Sequence, residues 1–152
     1  MMTWRTRVGA AMLGAVAPPL LALGGCSLGA SSDATPTQAR SDLQEVLTAT
    51  QRAVGGEWEV RDDPTPRGCV IPLWVEGERY PALRIGSAPI NADAALAAVE
   101  RTWTQWGYEV DSTVLGEVTQ LQGQSPVDAV LIFRVSPDAM TLQGESECRP
   151  AA

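Results

Sequence analysis

Apolar residues recur along this chain with two periods. From Thr37 to Val54, "TQARSDLQEVLTATQRAV", the residues Leu43, Val46, Leu47, Thr50, Ala53 and Val54 fall on one face at helical spacing. Gly55-Gly56 ends that helix. "EWEVRDD" then alternates, with Trp58 and Val60 set against Glu57, Glu59 and Arg61, which predicts a short strand. "DPTPRG" is a loop by its proline and glycine. Apolar patches between Cys69 and Leu83, broken by Pro72, Gly77 and Pro81, predict irregular strands around Cys69–Val75 and Ala82–Ile85. A second helix starts at Asn91, a good N-cap, with Asp93 in the first turn and Gly107 as its C-cap. Ala92, Ala95, Leu96, Val99, Trp103 and Trp106 form its stripe, so both tryptophans are expected in the core.

The remaining chain reads as strands. "YEVDSTVL" from Tyr108 is turned by Gly116, and Glu117–Leu121 pairs back. "DAVLIFRV", from Asp128 to Val135, carries the strongest strand signal and is expected at the centre, with Met140–Ser146 returning beside it. Helices and strands do not alternate one to one, which argues against a doubly wound parallel sheet. The order predicts an α+β fold: an antiparallel sheet with two helices packed on one face, a two-layer sandwich.

The N-terminus follows a different pattern. Arg5 and Arg7 precede "VGAAMLGAVAPPLLAL", and small residues lead to Cys26. A positive start, an apolar middle and a small-residue exit make a secretory signal. Pro18-Pro19 and the short length argue against a membrane-spanning helix. Leu23-Gly24-Gly25-Cys26 resembles the bacterial lipobox. The resemblance implies a diacylglyceryl group on the Cys26 thiol, cleavage after Gly25, and anchoring by acyl chains such as palmitate to the extracytoplasmic face of the cell membrane. Two acyl chains hold a protein on a bilayer stably. Residues 1–25 are thus expected to be a cleaved signal peptide, 26–38 a lipidated cysteine with a flexible tether, and 39–149 a single extracytoplasmic domain. The tether stretch "SLGASSDATPTQ" is too poor in large apolar groups to pack.

Charge narrows the partners. Of 11 basic residues, all arginine, two precede Cys26; nine then face 18 carboxylates, a formal charge of 9 − 18 = −9. That argues against nucleic acid, and against the domain lying flat on an anionic membrane. The chain has no histidine, which removes Ser-His-Asp triads, Cys-His pairs and imidazole metal sites. No cofactor or metal is expected.

Cys69 and Cys148 are the two thiols left after Cys26. Outside the cytoplasm they are expected to pair; there is no CxxC, and a reactive cysteine would lack a histidine base. The pieces "WEV…C", "W…GYEV", "DAVLIFRVS" and a terminal "GESEC" together resemble small actinomycete lipoproteins of the mycobacterial LppA-like kind. The absence of lysine, with abundant Ala, Gly and Arg, fits a GC-rich actinobacterial genome. This second resemblance also implies the anchor, the disulfide and the α+β fold. It implies no catalytic residues.

Two functions compete. One is a non-catalytic binding or interaction module of the cell envelope. It would contact another envelope protein or a small apolar ligand through the helix-free sheet face, the loops and Trp74, which is the candidate ligand contact. The other is a cell-wall-directed hydrolase using carboxylates such as Asp62, Glu76 or Glu145 on glycan. The acidic pairs are Glu57/Glu59, Asp62/Asp63, Glu76/Glu78 and Glu145/Glu147, and the i, i+2 spacing of the first, third and fourth is also that of a solvated strand face or edge. The deciding geometry is whether two carboxylates converge in a cleft.

Overall fold

The computed structural model describes residues 34–151; the signal segment, Cys26 and most of the tether lie outside them. The elements run α1 (Pro36–Val54), β1 (Trp58–Val60), β2 (Arg67–Ile71), β3 (Val75–Arg79), β4 (Pro81–Ser87), α2 (Ala92–Gln105), β5 (Glu109–Leu115), β6 (Val118–Gln124), β7 (Val130–Val135), β8 (Ala139–Glu145) and β9 (Arg149–Pro150). The Thr35 hydroxyl accepts from the Gln38 amide at the start of α1, and Pro36 occupies the first turn, where its missing N–H costs nothing. Residues 36–38, read from sequence as the end of the tether, therefore belong to the helix. The Asn91 side chain accepts from Ala94 N–H at the start of α2, as predicted.

Six strands form an antiparallel sheet in the order β1-β4-β8-β7-β6-β5, which puts the predicted central strand β7 and its partner β8 in the middle. Leu121, Phe133, Leu142 and Arg84 lie side by side across four strands and face the helices. Leu43, Val46 and Leu47 of α1 and Val99 and Trp103 of α2 close the core against that row. Both helices thus pack on one face of the sheet, the α+β arrangement the sequence predicts.

Close approach requires glycine at two sheet positions. A Cβ on Gly144 would stand 2.7 Å from the Leu43 side chain of α1, and one on Gly123 would stand 2.7 Å from the Trp103 ring of α2. The two helices are also tied to each other. The Trp103 indole N–H donates to Thr50 Oγ at 2.9 Å, and the Thr50 hydroxyl donates to Val46 C=O at 2.8 Å, so no buried polar atom of that pair is left bare.

Three expectations need correction. Cys69–Val75 is not one strand: β2 stops at Ile71, Pro72–Trp74 makes a turn, and β3 returns. These strands leave the main sheet and form a second, three-stranded sheet, β2-β3-β9, where one sheet was expected. Trp106 is not core; it is 45% exposed, because the helix ends at Gln105 and Trp106 is its cap. Gly107 follows with φ +82°, one position beyond the cap, where a left-handed residue reverses the chain into β5.

Candidate functional site

Alternation along β4, β7 and β8 sends a second set of side chains to the face away from the helices. Leu83 lies beside Gln143 and Ile132 there, and Pro81 beside Glu145 and Val130. The β1–β2 loop adds Arg61 and Asp63, and the start of β2 adds Arg67, along one side. The result is a groove of about 530 Å³ with Leu83, Val130 and Ile132 in its floor. Its volume is in the range of small-molecule sites.

The charged rim is largely satisfied by its own members. Arg61 Nε donates to Glu59 Oε1 at 2.8 Å; that pairing holds the exposed Glu59 carboxyl below its usual range and raises Arg61. Glu145 accepts from Arg67 at 3.4 Å and from Arg79 at 3.1 Å, and Arg79 also faces Asp128 at 3.5 Å. The Asp63 carboxylate accepts the Thr65 amide N–H at 2.9 Å, and this bond holds its carboxyl below the ordinary range. Arg134, next along the same face, donates to Gln120 at 2.7 Å and to Gln143 at 3.3 Å, so Gln143 is held in place at the groove wall.

Asp62 points the other way. It accepts from the Leu83 amide at 3.0 Å and from the guanidinium of Arg84, a residue only 4% exposed. Arg84 Nη2 donates to Gln44 Oε1 at 2.6 Å, and Gln44 Nε2 returns a bond to Asp62 Oδ2 at 3.0 Å. This closed ring fastens the β1–β2 loop to α1 and β4. Asp62, singled out as a candidate acid, is thereby committed to holding the fold.

The other sequence candidates are dispersed. Glu76 is exposed on β3, and Glu147 is buried against Arg149 at 2.6 Å. Cys69 and Cys148 are joined by a disulfide with their Cα atoms 6.1 Å apart, which fastens β2 to the chain entering β9. Trp74 does not line the groove; it sits at the tip of the β2–β3 hairpin, exposed beside Leu73. Both tip residues have left-handed backbones, φ 75° for Leu73 and 63° for Trp74. That conformation costs an L-residue about 1–2 kcal/mol, so glycine or asparagine would sit there with less strain. Among the described residues, no three Cys, Asp or Glu side chains converge as a metal site needs.

The groove residues Leu83, Ile132, Arg61 and Arg67 went unread in the sequence. A signal was present: "VLIF" in β7 is apolar at every position, where a strand with one solvated face alternates.

No protein-family profile matches this chain, and no curated protein matches it. Among solved structures, its fold is similar to the crystal structure of a DUF4853 family protein from Actinomyces odontolyticus ATCC 17982, with a TM-score of 0.55 and 18% sequence identity. The likeness covers 74% of this chain and 64% of that one, so this chain spans less than two thirds of that protein. At such identity the two share a fold. The protein that shares it comes from an actinobacterium.

Proposed function

We propose that this chain is a lipid-anchored extracytoplasmic lipoprotein of the cell membrane, and that its domain binds a ligand without transforming it. The groove on the helix-free sheet face carries this proposal. Its floor of Leu83, Val130 and Ile132 suits a small apolar ligand or an apolar segment of an envelope protein. The lipobox-like Leu23-Gly24-Gly25-Cys26 supports the anchor, and the looser resemblance to small actinomycete lipoproteins points the same way. An actinobacterial source for a protein of similar fold is in keeping with that resemblance.

The chemistry of the rim favours binding over hydrolysis. Glycoside hydrolysis needs one carboxyl kept protonated as the acid, with a raised pKa, opposite a second carboxylate. Asp63 and Glu145 both border the groove, but Asp63 is shifted in the wrong direction and Glu145 lies between two guanidinium groups.

An apolar fluorescent probe such as anilinonaphthalene sulfonate tests the groove. The native protein is expected to bind it, and Ile132→Arg, which puts a charge in the floor, to weaken binding about ten-fold or more, the effect of roughly 1.4 kcal/mol. Release of reducing ends from purified cell-wall glycan, abolished by Glu145→Gln, would overturn the proposal in favour of the hydrolase.

A further inference from the structure

The β2–β3 hairpin ends in an apolar knob that the rest of the domain leaves bare. Leu73 is 91% exposed and Trp74 90%, with Val70 and Val75 exposed beside them. From Val70 to Glu76 the only charged residue is Glu76. The base of the hairpin is fixed: Gly77 lies against Cys148 and Arg149, and the disulfide holds Cys69. The tip therefore projects from a stiff stem.

The base of the hairpin and the start of α1 lie at one end of the domain. Leu43 of α1 meets Gly144 near the end of β8, while Gly56, just past the other end of α1, meets Met140 near the start of β8. The start of α1 thus lies over the end of β8, and Arg40 stacks on Tyr80 at 4.9 Å, just past β3. Helix α1 packs against both β3 and β9. From Tyr80 to Trp74 the strand can run about 20 Å at 3.3 Å per residue. Ten peptide steps separate Cys26 from Pro36, a reach of at most about 36 Å. A chain acylated at Cys26 can therefore bring this tip to the lipid surface.

The chemistry selects the same partner. Tryptophan belongs at the boundary between headgroups and acyl chains, where an apolar ring carries a polar N–H. A convex apolar tip fits a soft surface. The −9 charge from Cys26 onward keeps the body of the domain off anionic headgroups, so contact falls to the uncharged tip. We propose that the Pro72–Trp74 tip inserts into the interface of the membrane to which the chain is tethered and so sets the orientation in which the groove is presented. This rests on the anchor proposed above, because two side chains alone hold a free domain weakly and need the tether to keep them near the bilayer.

The test uses the full mature protein purified from membranes, checked by intact mass and reconstituted in phosphatidylcholine vesicles with or without brominated acyl chains. Bromine is expected to quench part of the tryptophan emission. Trp74→Phe should remove that part, Trp106→Phe should keep it, and 1 M salt should leave it unchanged. Equal emission in both vesicles from a chain that carries its acyl mass overturns the tip proposal and leaves the anchor standing. Quenching lost in Trp106→Phe but not in Trp74→Phe also overturns it. Protection of Trp74 from oxidation in native membranes, without quenching in pure lipid, replaces lipid by an envelope protein. A chain without acyl mass, left in the soluble fraction, overturns the anchor, and the tip proposal falls with it.

Discussion

Asp62 and Asp63 are adjacent in sequence and opposite in role. Asp62 turns inward to a buried arginine, and Asp63 turns outward to the groove. Composition treats them alike, since each is one half of an acidic pair in a proline-rich loop. Their separation depends on Arg84, 22 residues away, occupying an inward position of β4. Asp62→Ala should cost about 3–5 kcal/mol, because it strands a buried guanidinium. Asp63→Ala should stay within about 0.5 kcal/mol, as befits an exposed loop residue. Urea unfolding of the two variants measures both, and equal losses would contradict the closed Gln44–Asp62–Arg84 ring. Trp103 and Trp106 divide in a similar way. Both fit the helical stripe, but only Trp103 lies before the helix ends, and only it reaches Thr50.

Elements were legible where one face is buried along their length. α1, α2, β6, β7 and β8 carry a periodic stripe or a sustained apolar run, and they were predicted close to where they lie; β5 has no buried face and was legible from its β-branched residues and the turn at Gly116. The segment from Cys69 to Arg79 was not, because the β2-β3-β9 sheet takes little part in the main core and leaves a weak burial signal. The disulfide is one of its fastenings, beside the Arg67 and Arg79 ion pairs to Glu145, and it closes a separation of 79 residues. Loop-closure entropy sets an upper estimate of about 4.5 kcal/mol for that bond. Replacing both cysteines by serine is expected to speed amide hydrogen exchange first in β2, β3 and β9, while β7 and β8 keep their protection. Equal loss of protection in β7 and β8 would instead make the bond a staple for the whole domain.

The proposed anchor requires the Cys26 thiol, so Cys26→Ser should move the protein from the membrane fraction to the soluble fraction. Fractionation of expressing cells reads this directly; a variant that stays with the membrane would show that another segment holds it there. The −9 charge predicts that added salt does not strip the native protein from membranes, because acyl chains and not ion pairs would hold it. The groove and the hairpin tip are separate surfaces, so the proposed insertion of the tip would leave the groove open.

The sequence by itself determined the α+β class, both helices and the central β7–β8 pair, and it led to the expectation of a Cys69–Cys148 bond only with Cys26 set aside for the lipobox. Periodicity is a local property that needs no coordinates. Only the tertiary structure decided which carboxylates face solvent, that Leu83 and Ile132 share a groove floor, and that Trp74 stands bare at a hairpin tip. Those facts depend on strand register and on a second sheet. Both arise from contacts between residues far apart in the chain, which a one-dimensional pattern does not record.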